Sequence, residues 1–215
     1  MMRYWRIWLF CALIVVAGAL IYFRSSPLNS ASSYEGTELT GEAPDFQLTD
    51  QHGSVIQLSD SRGKVIVLTF MDSKCTDTCP LTAFHFRQAY QQLNSDESGQ
   101  VVFMGVNVNV EANQVADVYQ ITQAWRLDEI PTWHFLTGSP AELEQVWQNY
   151  GIAVQPSHDS QGEGILHTPG TYIIDPSGQK RWYISTPFSE GENTGFAVPL
   201  NELLVNHIRE ILKGS

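Results

Sequence analysis

The chain is poor in basic residues and in cysteine, and each shortage narrows what it can do. Of its 12 Lys and Arg, three (Arg3, Arg6, Arg24) lie in the first 24 residues. That leaves nine against all 23 Asp and Glu, a net charge of −14 beyond residue 24. A surface so acidic repels phosphate backbones and anionic headgroups, so no nucleic-acid partner is expected. Of only three cysteines, Cys11 lies inside an apolar run and reads as a small apolar filler. No small residues of a lipoprotein signal precede it, and the chain has no internal repeat. Cys75 and Cys79 are the thiols that remain. A structural staple normally closes a long loop, because its stabilisation grows with loop length. Three intervening residues close almost none, so reactivity explains the pair better than stapling.

One long apolar run is present. Ile7 to Phe23 carries no charge over 17 residues and follows Arg3 and Arg6. At 1.5 Å per residue it spans roughly 26 Å, near the lower limit for a bilayer crossing. Trp5, Trp8 and Tyr22 lie near its ends, where amphipathic rings favour the interface. Residues 1–24 are therefore expected to be an uncleaved single-pass anchor. The arginine bias keeps the N-terminus cytoplasmic and the C-terminal domain on the extracytoplasmic side of the cell membrane. A cleaved signal peptide is the alternative, with Ser30-Ala31-Ser32 a weak site. Ser25 to Gly41 is rich in Ser, Thr and Gly and reads as a flexible tether, with residues 42–215 as one domain. Its thiols then lie where disulfides persist.

That domain is organised around Leu68 to Leu81. Lys64 to Phe70, rich in β-branched residues, predicts a strand covered on both faces. Phe84, Phe86, Ala89, Tyr90 and Leu93 keep helical spacing, predicting a helix from about Thr76 to Leu93. On such a helix Cys75 and Cys79 share one face, close enough to bind a soft metal ion or close a disulfide. The positive helix end lowers thiol pKa, and the thiolate is the reactive form. A hairpin is predicted over Asp45–Leu48 and Val55–Leu58, strands over Val101–Val108, Thr132–Leu136, Thr171–Ile174 and Lys180–Ser185. Helices are predicted over Gln114–Trp125, Ala141–Tyr150 and the Leu200–Leu212 stripe ended by Gly214. The polar, glycine-bearing stretch Gly151 to Gly164 reads as a loop. This alternation predicts an α/β fold, a mixed sheet covered by helices.

The motifs resemble the SCO/SenC family of membrane-anchored, thioredoxin-like copper proteins. The resemblance runs from about Gly41 to Leu212 and rests on four pieces. They are Ala43-Pro44-Asp45-Phe46 with Leu58-Ser59-Asp60 and Gly63-Lys64, Cys75-Thr76-Asp77-Thr78-Cys79-Pro80, Phe135-Leu136-Thr137-Gly138-Ser139, and His167-Thr168-Pro169-Gly170-Thr171-Tyr172-Ile173-Ile174-Asp175-Pro176-Ser177-Gly178. The three-residue gap between the cysteines separates this family from thioredoxins, which use two. The resemblance implies a thioredoxin-like (redoxin) fold and a copper site made by Cys75, Cys79 and His167. It also implies Asp77 as an outer partner, and copper delivery to, or thiol preparation of, the dinuclear copper centre of cytochrome c oxidase subunit II. Another extracytoplasmic copper or thiol client fits the same chemistry. Two thiolates and an imidazole suit copper, though zinc accepts these ligands too. His85, His134 and His158 read as surface or structural, and Trp133 and Trp182 as packing residues.

One segment departs from the family pattern. An acidic, Pro-containing stretch is common after its second core strand, where this chain has Val106-Asn107-Val108-Asn109-Val110-Glu111-Ala112-Asn113. The departure points to altered partner recognition more than to altered metal binding. The alternative function is a membrane-tethered thiol–disulfide oxidoreductase or thiol peroxidase with Cys75 and Cys79 as its redox-active pair. Thr76-x-x-Cys79 is superficially similar to a peroxidatic motif, but Asp72 stands where those proteins carry Pro. Pro169 is similar to the thioredoxin-type proline, usually cis, beside the reactive pair.

Overall fold

Every strand that the sequence pattern predicts is present, together with three that it does not. The structure is a computed structural model describing residues 36–159, 162–185 and 198–214. The apolar run Ile7–Phe23 and most of the tether lie outside them. Among the described residues no helix is long and apolar enough to cross a membrane. In chain order come β1 Thr37–Glu38, β2 Gln47–Thr49, β3 Val55–Gln57, β4 Val65–Met71 and helix α1 Thr78–Gln92. Then follow β5 Val101–Asn107, α2 Val115–Ala124, β6 Trp133–Leu136, α3 Pro140–Asn149, β7 Val154–Asp159, β8 Gly162–His167, β9 Thr171–Ile174, β10 Lys180–Ile184 and α4 Leu200–Gly214.

Six strands form one mixed sheet in the order β1-β10-β9-β4-β5-β6. β4, β5 and β6 are parallel neighbours, whereas β9 lies antiparallel beside β4 and β10 antiparallel beside β9. All seven residues of β4 are buried, as expected of a central strand covered on both faces. Its side chains alternate. Val65, Val67 and Met71 pack under α1 and α4 with Cys79, Ala83, Phe86, Leu204 and Ile208. Ile66, Leu68 and Phe70 face the other layer, with Phe46, Leu143, Val146 and Trp147. Burying each such side chain stabilises by about 1.5–3 kcal/mol, so the two layers hold the sheet's C-terminal ends rigidly.

The edge at β6 is covered rather than open. Thr49 and Thr137 exchange backbone hydrogen bonds, N–H to O at 2.8 and 2.7 Å. Beside them the buried Gln51 side chain donates to Trp133 O and accepts from Phe135 N–H, satisfying strand groups that would otherwise be unpaired. The β2–β3 hairpin thus serves as an edge guard.

Two readings change. Gly151–Gly164 is not a plain loop, because β7 and β8 pair antiparallel from Val154↔His167 to Asp159↔Gly162. Few apolar side chains drive that hairpin; Gln155, Pro156 and Leu166 are exposed, so hydrophobic alternation could not reveal it. Backbone pairing forms it, anchored where Thr168 N–H donates to Ala153 O (2.9 Å) and Ala153 N–H to Thr168 Oγ1 (3.0 Å). The packed chain also starts ahead of residue 42. Thr37 and Glu38, read as tether, pair with Tyr183 and Trp182 at the sheet's other edge.

Candidate metal centre

The centre lies where β4 ends. Asp72 follows the strand and closes a turn by two routes. Its Oδ1 accepts from Lys74 N–H (2.8 Å) and its carbonyl from Cys75 N–H (3.1 Å). Asp77 then starts α1, accepting from Thr78 N–H as its N-cap. The helix therefore begins at Thr78, two residues later than periodicity suggests, and Cys75 is a loop residue. Cys79 is on the first helical turn. The pair still meets, because the exposed N-terminal amides of the helix turn back on the loop: Cys79 N–H donates to Cys75 Sγ at 3.3 Å. Both thiols are free, Cys75 half-buried and Cys79 buried.

Their environments differ. A hydrogen bond from the Cys79 thiol is the largest influence on Cys75, and it draws that thiol down to about 7 against the opposing effect of burial. The same bond, followed by burial and the facing sulfur charge, pushes Cys79 well above the ordinary thiol value. Cys75 is thus the more acidic thiol of the two, and Cys79 the one held protonated. Asp77 Oδ1 lies 3.0 Å from Cys75 Sγ, and that contact chiefly holds the Asp77 carboxyl below its usual range. The outer partner expected at Asp77 has direct contact with one sulfur.

His167 comes to the same end of the sheet through strand pairing. Thr171 opposes Thr69, and Thr69 Oγ1 donates to Gly170 O (3.0 Å), so the residues preceding β9 run beside those that follow β4. The His167 ring does not close onto the cysteines. Its Nδ1 lies 3.1 Å from Thr168 O, and no group of three His, Cys, Asp or Glu side chains converges on a metal position among the described residues. A carbonyl only accepts, so Nδ1 carries the hydrogen and Nε2 keeps the lone pair a ligand needs. Burial lowers the His167 pKa, against the opposing Thr168 hydrogen bond and Asp72 charge, which favours the neutral ring at neutral pH. Two sulfurs, one polarised toward thiolate, and a neutral imidazole fit a soft or borderline metal ion.

The remaining candidates separate cleanly. His134 contacts Asp50 (3.1 Å) and His85 contacts Asn201 (2.9 Å), partners that do not belong to the cysteine pair. The His158 side chain lies outside the described residues. Trp133 is buried in the core, and Trp182 stacks on His207 at 4.2 Å. Pro169 is preceded by a trans peptide, since no cis bond occurs among the described residues. What sequence reasoning missed is the support beneath the loop. Asp72, Ser73, Asn107 and Asn109 are all buried and mutually hydrogen-bonded. Polar residues at strand-like positions, in Val106-Asn107-Val108-Asn109, were the available signal.

Comparison with known proteins bears on the family and the fold. The family description SCO1/SenC matches residues 35–194. The mitochondrial SCO2 homolog of Bos taurus is 28% identical over 137 residues, 62% of this chain and 50% of that protein. The chain thus spans half the length of that relative. Apo Sco1 of Thermus thermophilus superposes with a TM-score of 0.65 at 23% identity, covering 82% of this chain and 95% of that one. Bradyrhizobium japonicum ScoI, solved with copper bound, gives 0.62 at 20% identity, covering 80% and 99%. These neighbours share the thioredoxin-like α/β fold.

Proposed function

The chain belongs to the SCO1/SenC family, and from that premise we propose that it carries copper on Cys75, Cys79 and His167 and passes it to an extracytoplasmic client. The observation that carries the reading is the meeting of Cys75 with Cys79 at a strand-to-helix turn, the 3.3 Å amide–sulfur contact, with His167 delivered to the same sheet end. Copper is cargo here. Cys75 supplies a sulfur already biased to thiolate, Cys79 supplies the second on losing its proton, and His167 supplies Nε2 once its ring swings toward the pair. Few protein ligands and an exposed loop favour handing the ion on rather than keeping it. Copper-bound ScoI supports the metal, and a solved Sco protein described as a cytochrome c oxidase assembly protein supports the client, its dinuclear copper subunit. The proposed place is the outer face of the cell membrane, with Ile7–Phe23 as the single anchor. The test is titration of the reduced protein with Cu(I) and Cu(II). Tight binding of one equivalent supports the reading, and its absence in both oxidation states removes it.

The second reading, a thiol–disulfide oxidoreductase, is favoured by the unequal thiols. One sulfur ready to attack and one held protonated is the division of labour such exchange needs. Turnover of a disulfide substrate by metal-free protein, at rates above those of free dithiol, would put this reading first.

A further inference from the structure

The stretch that departs from the family pattern lies beneath the cysteine loop, with Asn107 and Asn109 almost fully buried. Asn109 Nδ2 donates to Asp72 Oδ1 at 2.8 Å, the same oxygen that accepts from Lys74 N–H. Asn109 is itself held in place. Its Oδ1 accepts from Glu111 N–H (3.0 Å) and its own N–H donates to Asn107 Oδ1 (3.1 Å). Asn107 Oδ1 also lies 3.3 Å from Ser73 N–H, and Ser73 Oγ donates to Ala112 O at 2.9 Å. Among the described residues Asp72 forms no ion pair with Lys, Arg or His. A carboxylate that is 5% exposed and has only amide partners depends on each of them.

We propose that Asn109 is a positioning residue for the cysteine pair, acting through Asp72. Its amide fixes the carboxylate so that Asp72 closes the Asp72–Cys75 turn with both side chain and carbonyl. That turn sets where Cys75 Sγ stands relative to Cys79 N–H. Without the amide, the carboxylate turns toward water, the Lys74 contact goes with it, and the sulfur leaves the helix N-terminus. The proposal rests on the cysteine pair being the working site, but not on copper being its cargo.

The test uses the full chain, reduced and freed of metal, and follows alkylation of Cys75 by iodoacetamide at neutral pH. Peptide mass spectrometry reads the site, and thermal melting is measured in parallel. Asn109→Ala should slow Cys75 labelling about tenfold, the scale on which groups one layer out from a reactive centre act. Asn109→Asp should slow it too, by setting a second carboxylate against Asp72. Adding Asp72→Asn to Asn109→Asp restores an amide–carboxylate pair in reversed polarity and the original net charge, and labelling should recover most of its rate. If Asn109→Ala folds poorly, Asn109→Ser replaces it, keeping an acceptor for Glu111 N–H but too short to reach Asp72. An unchanged labelling rate in folded variants whose melting temperature has dropped makes Asn109 merely structural and overturns the proposal. Failure of the reversed pair to recover also overturns it, since the contact would then not be what matters. Copper titration of the same samples separates the two ideas. Labelling that shifts as expected in a protein binding no copper keeps the positioning role and removes the copper reading.

Discussion

The backbone N–H of Cys79 meets the sulfur of Cys75 across 3.3 Å, and together with the Cys79 thiol, whose hydrogen bond is the larger influence, it makes two chemically identical thiols unequal. Cys75 accepts hydrogen bonds at the positive end of a helix, while Cys79 is buried behind it and donates. A symmetric pair would share metal or disulfide chemistry evenly. This one has an attacking and a resolving member before any ligand arrives.

Selective labelling should follow. Because the Cys75 thiol is lowered to about 7 and Cys79 is raised, a limiting amount of iodoacetamide should modify Cys75 almost alone at neutral pH. The rate should climb as pH rises through about 7 and then level off, since the thiolate is the nucleophile. Equal labelling of both cysteines at neutral pH would contradict the asymmetry.

Asp77 has two roles that one pair of variants separates. It caps α1 at Thr78 N–H and sits 3.0 Å from Cys75 Sγ, where its carboxylate favours the protonated thiol. Asp77→Asn keeps a good cap and removes the charge, so stability should hold while Cys75 becomes more acidic. Asp77→Ala loses the cap as well, at about 0.5–2 kcal/mol by chemical denaturation. A comparable stability loss in both variants would show that the charge, not the cap, holds the helix start.

How the pair sits was only partly legible in the sequence. Spacing and the β-branched run before it located the strand, the helix and the reactive turn. Which sulfur would meet an amide depended on where the helix begins, and that was set by Asp77 as N-cap, a local competition that periodicity does not report. The support under the loop was illegible for another reason. Asn109 and Asp72 are 37 residues apart, and their bond exists only because β4 and β5 are parallel neighbours ending at the same level. The β7–β8 hairpin was hidden because Gln155, Pro156 and Leu166 are exposed and no apolar alternation marks it.

Gly170 should not tolerate a side chain. Its φ is +155°, and an added Cβ would run into the Tyr183 ring, whose hydroxyl donates to Pro169 O at 2.6 Å. Tyr183 in turn packs on Tyr172 at 4.9 Å, so it has little room to retreat. Gly170→Ala should cost about 1–3 kcal/mol, the usual scale of overpacking. It should also displace the His167-to-Thr171 segment and weaken copper binding more than it slows Cys75 labelling. A variant as stable as the parent, by denaturant midpoint, would show that Tyr183 yields freely.

The anchor assignment has a direct physical check. With Ile7–Phe23 uncharged and arginines before it, the protein should stay in the membrane pellet after a high-salt wash and be released by detergent. Protease added from outside should reach the domain. A soluble form whose first residue lies near Ser32 or beyond would make the run a cleaved signal.

His167 separates the two functional readings. In this structure its Nδ1 is committed to Thr168 O and its ring is apart from the sulfurs, so metal capture requires the ring to swing while Nε2 stays free to coordinate. The segment it sits on ends a hairpin held mainly by backbone bonds, which permits that movement without opening the core. Burial lowers the ring's pKa, so protons should compete for Nε2 only at pH below the ordinary imidazole range. His167→Ala leaves both cysteines, Asp77 and the start of α1 in place. A dithiol exchanger should therefore keep most of its rate against a small disulfide substrate. A copper carrier loses one of three protein donors. Losing even an outer partner costs about 10–100-fold in metal affinity, so this variant should bind copper about a hundredfold more weakly or worse. Competition against a chelator of known affinity measures the loss, and disulfide-exchange kinetics on the same preparation provide the control. Unaltered copper affinity would remove His167 from the ligand set and leave the oxidoreductase as the stronger account.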